Sequence, residues 1–113
     1  MSMQGDRYVE THMAQVCKRG QSVCGDHLVV QRSPEATIVV VGDGIGSGIY
    51  ANIAAITNAN RLAALLTGGT PVQDACAMVA DSMHRAKTED VPYCAFSAAR
   101  ILKNGQYTVL SYD

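Results

Sequence analysis

The sequence has no excess of charge of either sign. Nine lysines and arginines stand against ten aspartates and glutamates, for a formal net charge of −1. The broad basic surface that holds nucleic acid or an anionic membrane is therefore missing, and any partner is found by shape or by a local site. Long apolar runs are missing too: the longest fall far short of what a membrane-spanning helix needs. The opening stretch MSMQGDRYVETHM lacks the basic-then-apolar order of a secretory signal. These absences predict a soluble, cytoplasmic protein with no nucleic-acid and no membrane partner. Paired metal-ligand spacing is also lacking. Cys17, Cys24, Cys76 and Cys94 never form C-x-x-C, and His12, His27 and His84 are scattered. Four reduced thiols are expected, three of them in apolar or strand-like pattern. There are no internal repeats and no low-complexity segments, and 113 residues suffice for one small domain but not for two.

What is present alternates and then turns helical. RYVETHMAQV alternates weakly and reads as a first strand; CKRGQSVCGD is polar and reads as a connection. HLVVQR and TIVVV read as two strands joined by the tight turn SPEA. TIVVV is apolar on both faces, the pattern of a strand covered on both sides. IYANIAAITNANRLAALLTGG has helical period, with Gly68 and Gly69 as its stop. Thr70, Pro71 and Gln73 then make a capping box for a second helix. PYCAFSAARIL and YTVLSY flank an Asn104-Gly105 turn and read as a hairpin. The predicted order is β-β-β-α-α-β-β, an α+β chain.

Between TIVVV and the first helix lies Gly42-Asp43-Gly44-Ile45-Gly46-Ser47-Gly48. A strand, a glycine turn and a helix are how nucleotide-binding folds hold a pyrophosphate, but an aspartate in the turn repels that anion. The dinucleotide fingerprint fails, because Ser47 stands where its third glycine belongs, and the P-loop fails for want of its lysine and hydroxyl residue. Two readings stay open. In one, Asp43 is a metal ligand: a carboxylate at the end of a buried strand, with glycines leaving the approach clear, suits a hard divalent cation. Asp26 precedes the paired strand, and each aspartate is the same distance from the Ser33–Ala36 turn, so both fall at one end of the hairpin. In the other, Asp26 caps a turn and Asp43 hydrogen-bonds its own loop.

CGDHLVV, followed after a turn by IVVVGDGIGSGIYANIAA, resembles the opening of the SpoIIE-like serine phosphatases, a branch of the metal-dependent protein phosphatase (PPM, type 2C) family. The D-G-x-G-S-G core matches at Asp43, Gly44, Gly46, Ser47 and Gly48, with Ala51 in register, and looser agreement extends over roughly Val23 to Asp113. The resemblance implies a β-sandwich flanked by helices with a binuclear Mn²⁺ or Mg²⁺ centre. It implies that Asp43 bridges both ions, with the Gly44 carbonyl and Asp26 completing one position. The activity implied is phosphoserine hydrolysis by a metal-activated water, on a protein substrate such as an anti-sigma-factor antagonist.

The chain departs from the family pattern after Asp43. Complete family domains are roughly double this length and carry further aspartates in D-G and D-[DN] pairs. Here Asp74, Asp81, Glu89, Asp90 and Asp113 stand in neither context. Asp74 and Asp81 fit a solvated helix face, and Glu89-Asp90 fits a loop. His27, Arg32 and Arg61 read as ordinary strand and surface residues, and Met78 and Met83 as core fillers. The expectation is the N-terminal part of a phosphatase domain with an incomplete metal centre. The alternative is a degenerate phosphatase-fold regulatory or protein-interaction module without catalysis. With 48% hydrophobic residues and part of the cover missing, a homo-oligomer is expected.

Overall fold

The structure, a computed structural model, describes residues 7–17, 24–46, 48–88 and 93–113. The elements are β1 Asp26–Arg32, β2 Ala36–Ile45, α1 Gly48–Thr67, α2 Val72–Thr88, β3 Tyr93–Leu102 and β4 Tyr107–Tyr112. The strands form one antiparallel sheet in the order β1-β2-β3-β4, and both helices pack on one of its faces. Two helices carry the chain away from the end of β2 and back again, so β3 enters beside it with Ile45 opposite Tyr93. The α+β class is as expected from the sequence, represented among the described residues by one sheet and its helix layer.

The alternation of β2 decides which face is core. Ile38 and Val40 are buried against α1 and α2, together with Phe96 and Ala98 of β3. Helix α1 buries Ala51, Ala55 and Ala59, then Leu62, Ala63 and Leu66, along one stripe. Its first half is therefore small and its second half large. The helix ends in a Schellman motif: Gly69 has φ 95°, its N–H donates to the Leu66 carbonyl, and the Thr70 N–H donates to the Leu65 carbonyl. Arg100, reaching across from β3, gives Nη2 to the carbonyls of Leu66 (2.6 Å) and Thr70 (2.5 Å).

Both turns follow from their residues. In the β1–β2 turn the Ser33 N–H donates to the Ala36 carbonyl at 2.9 Å, and the Ser33 hydroxyl accepts from the Ala36 N–H. Between β3 and β4, Gly105 takes φ 92°, and the Leu102 N–H donates to the Gln106 carbonyl. That is a three-residue loop with its glycine in the left-handed position.

Four expectations are corrected. Residues 7–16 form no strand. They lie beside β1, held by Arg32, whose guanidinium donates to the Val9 carbonyl and the Thr11 hydroxyl. With no partner ladder among the described residues, weak alternation does not suffice. The capping box is not formed: the Thr70 N–H that Gln73 would satisfy is already given to Leu65, and α2 begins at Val72. Met83 fills the core, but Met78 is exposed. Cys17 and Cys24 are not reduced core thiols; they form a disulfide with Cα atoms 4.7 Å apart, while Cys76 and Cys94 are free and buried. Ser47, Glu89, Asp90 and Pro92 lie outside the described residues. No described helix is long and apolar enough to cross a membrane.

Arg100 bridges the Leu66 and Thr70 carbonyls at the α1–α2 joint, and the Leu66 carbonyl keeps the Gly69 N–H without it. Arg100→Met should therefore destabilise the chain by about 1–2 kcal/mol, mainly the cost of leaving the half-buried Thr70 carbonyl without its charged donor. The check is a lowered denaturant midpoint at unchanged slope; an unchanged midpoint would mean that water replaces Arg100 at the Thr70 carbonyl.

Candidate functional site

Strand β2 runs through Gly42, Asp43 and Gly44 to Ile45, so Asp43 sits on the strand and not in the turn the sequence suggests. The reason is pairing on both sides: Asp43 faces Asp26 on β1 and Ala95 on β3, and Gly44 faces Cys94. The ladder places Asp26 and Asp43 directly opposite each other. Strand alternation turns both onto the face away from the helices.

Gly44 joins this pair to α1. Its N–H donates to the Gly25 carbonyl at 2.8 Å, which ties the start of β1 to the end of β2. A β-carbon there would overlap the Ala51 carbonyl and lie 2.8 Å from the Gly25 oxygen, so glycine is required by space. At Gly48 the requirement is conformational: φ is 59° with open surroundings. These glycines, with Ala51, Cys24 and the Val16–Cys17 segment, wall a cavity of about 380 Å³ that holds both carboxylates.

Among the described residues no basic side chain lines this cavity, and the electrostatics of those residues follow. The Asp43 carboxyl is raised above the ordinary carboxylate range, first by partial desolvation, then by its hydrogen bond with Asp26, by the Asp26 charge and by the Asp113 charge. Behind the pair lies Cys94, fully buried, its thiol donating to the Ala95 carbonyl at 2.8 Å. Burial, reinforced by the Asp43 and Asp26 charges, pushes that thiol up to about 11 against a hydrogen bond from the Asp43 backbone. Cys94 is therefore a neutral packing residue and not a nucleophile.

The donor set is all oxygen, negative and uncompensated, which is the chemistry of a hard divalent cation site. It is also incomplete: among the described residues no group of three or more His, Cys, Asp or Glu side chains converges. His27 pairs with Gly42, on the face of β1 opposite Asp26. Arg32 is engaged with Val9, Thr11 and the Tyr8 ring at the far end of the strand, and Arg61, Asp74 and Asp81 are exposed on the helices.

One residue near the site, Asn52, is not singled out by the sequence, and another, Asp113, is set aside there for want of a D-G or D-[DN] context. Asn52 Nδ2 donates to the Cys24 carbonyl at 2.7 Å, anchoring the first turn of α1 to the approach to Asp26; its only signal was an amide beside the alanine stripe. Asp113 follows Tyr112, which pairs with Phe96, whose partner on β2 is Gly42. It thus stands at the same end of the sheet as Asp43. Extending the β3–β4 hairpin register by one residue would have found it.

Known proteins share this architecture. No protein-family model matches the chain. Over 52 residues, 46% of this chain and 26% of the relative, it is 33% identical to the phosphoserine phosphatase RsbX of Bacillus subtilis (strain 168). It superposes on the crystal structure of RsbX in complex with magnesium with a TM-score of 0.72 at 22% identity, covering 87% of this chain and 46% of that one. On the PP2C phosphatase domain of SpoIIE from Bacillus subtilis, solved with a fragment of its regulatory domain, the TM-score is 0.70 at 17% identity, covering 88% and 34%. The resemblance to the SpoIIE-like PPM phosphatases is thus matched by a shared fold and a stretch of shared sequence. The chain spans less than half the length of each of these relatives.

The raised Asp43 carboxyl sets a pH dependence. The folded state holds this proton more tightly than the unfolded chain does, so the associated stability is present below the ordinary carboxylate range and is lost as pH rises through the folded-state value. Asp43→Asn should therefore leave metal-free stability unchanged in acid and raise it at neutral pH. Solvent screening keeps the gain under about 1 kcal/mol. Thermal unfolding of both forms across that range is the measurement; a variant less stable at neutral pH would contradict the repulsion described here.

Proposed function

We propose that this chain is the N-terminal part of a metal-dependent serine/threonine protein phosphatase domain acting on phosphoserine in a regulatory protein, with an anti-sigma-factor antagonist as the substrate class. The observation that carries the reading is the Asp26–Asp43 pair, two carboxylates held opposite each other in a glycine-walled cavity. Support comes from the likeness to RsbX, a phosphoserine phosphatase whose crystal structure is a magnesium complex. Two Mn²⁺ or Mg²⁺ ions, when bound, supply an activated water and neutralise charge on the phosphate oxygens.

In this reading Asp43 serves both ions, while Asp26 and the Gly44 carbonyl serve one. What the chain's own residues contribute is placement. The β1–β2 ladder fixes the spacing of the carboxylates, the Gly44–Gly25 hydrogen bond closes the strand ends, and Asn52 holds α1 beside them. The remaining oxygen ligands come from the part of the domain that the relatives have and this chain lacks, so the chain alone is expected to be inactive. The test is Mn²⁺-dependent release of phosphate from a phosphoserine protein by the complete domain. Asp43→Ala should lower the rate by about a hundredfold or more, and retained activity would refute the assignment.

The second reading, a degenerate phosphatase fold that binds a protein partner without catalysis, is favoured by the incomplete donor set. It predicts no turnover at any metal concentration in the complete domain.

Assembly is part of the same proposal. The sheet face away from the helices leaves Val41, Ile45 and Val109 exposed, and a second copy of the chain covers this face in a two-fold dimer. Light scattering on the isolated chain should report twice the monomer mass, whereas a monomer at high concentration would exclude the dimer.

A further inference from the structure

The four cysteines fall into two classes by access. Cys76 and Cys94 are buried free thiols. Cys17 is exposed, Cys24 is half-buried, and the two are bonded to each other. Their location gives that bond a consequence, because both half-cystines line the cavity that holds Asp26 and Asp43.

The two ends of the bond differ in how firmly they are held. Cys24 belongs to the frame: its carbonyl accepts from Asn52 at 2.7 Å. The next residue, Gly25, accepts from the Gly44 N–H and leads directly into Asp26. Cys17 ends the segment 7–17, which shares no ladder with any described strand. Near the cavity this segment is attached through Gln15 Nε2, which donates to the Asp26 carbonyl at 2.6 Å, and through the disulfide. Val16, also on the cavity wall, is 90% exposed. The bond joins an exposed segment to the site and does not cross the core, so its effect falls on the wall of the cavity.

We infer that Cys17–Cys24 is a redox-cleavable clasp: the disulfide holds the Val16–Cys17 wall on the Asp26–Asp43 cavity, and reduction by a dithiol releases it. The exposed Cys17 sulfur is the point of attack, and exposed disulfides are the labile ones. One thiolate of the dithiol bonds to Cys17 Sγ, the S–S bond breaks, and Cys24 leaves as a thiolate that takes up a proton. The second thiol of the dithiol then displaces Cys17 and closes the reductant's own disulfide, and Cys17 is protonated in turn. Two electrons and two protons pass to the protein, and the dithiol is oxidised. The clasp stands on the geometry of the cavity alone; only its bearing on a metal rests on the phosphatase reading.

The experiment starts from chain purified without reductant. Native iodoacetamide labelling should mark no cysteine before dithiothreitol and two after it, Cys17 and Cys24, with Cys76 and Cys94 labelled only on unfolding. Amide exchange of the reduced, alkylated chain and of the Cys17→Ser/Cys24→Ser double variant should then accelerate by about tenfold in residues 10–17 and 24–26, with β3 and β4 unchanged. Four free thiols in the starting protein would overturn the inference. So would unchanged exchange at 24–26, or acceleration spread through β3 and α2, which would make the bond a global staple. Mn²⁺ affinity, measured on the same two forms, separates the two claims. Weaker binding on reduction supports both the clasp and the metal site, whereas faster exchange with no Mn²⁺ binding in either form supports the clasp and counts against Asp26 and Asp43 holding a metal without further ligands.

Discussion

A β-carbon at Gly42 would lie 3.0 Å from the Cys94 sulfur and 3.1 Å from the Ala55 carbonyl, and one at Gly44 would overlap the Ala51 carbonyl. Helix α1 and strand β2 therefore meet almost backbone to backbone over the first half of the helix, where its buried residues are alanines. This approach is what the functional end depends on. It brings the first turn of α1 over the end of β2, puts Asn52 within reach of Cys24, and leaves the wall of the carboxylate cavity built of glycine and alanine. The approach is maintained from the other half of the helix, where Leu62 and Leu66 are buried. Burying each is worth about 1.5–3 kcal/mol, and Arg100 locks the helix end beside them.

The same frame sustains an arrangement that opposes stability. Two aspartates directly across an antiparallel ladder repel each other, and the Asp43 carboxyl is raised first by partial desolvation, then by its hydrogen bond with Asp26 and by the Asp26 charge. The pair persists because its position is set elsewhere, by the Ser33–Ala36 turn that fixes the β1–β2 register and by β3 pairing along the other side of β2. Under the proposed function, a divalent ion would relieve the opposition that this scaffold holds in place. The rigidity is unequal, however. β2 is paired on both sides, whereas the approach to Asp26 relies on Gly25, Asn52 and the disulfide.

Much of this was legible in the residues. The apolar run, the glycines and the helical period that follows called for a strand and then a helix, and counting from the Ser33–Ala36 turn put Asp26 and Asp43 at one end of a hairpin, because in a two-stranded ladder register is arithmetic. The D-G-x-G-S-G core pointed to the phosphatase fold that the solved structures share. Helix α1, its stop at Gly69 and the Asn104–Gly105 turn followed from local conformational preference alone, since positive φ and helical period are properties of a few neighbouring residues.

Other features belong to contacts between distant parts of the chain. Residues 7–16 have strand-like alternation and lie along the free edge of β1, but side-chain bonds from Gln15 and Arg32 hold them there in place of a backbone ladder. Gln73 lost its capping role because Thr70 had already given its N–H to Leu65. The pairing of Cys17 with Cys24 needed their Cα atoms 4.7 Å apart, a distance that spacing in sequence does not specify. Asp113 reached the carboxylate end of the sheet only through the joint registers of β2, β3 and β4. The sequence by itself determined the local elements and the hairpin that opposes the two aspartates, because turns and alternation act over a few residues. The tertiary structure alone decided what surrounds that pair, because its cavity wall, disulfide and third charge come from segments whose meeting depends on the packing of the whole sheet.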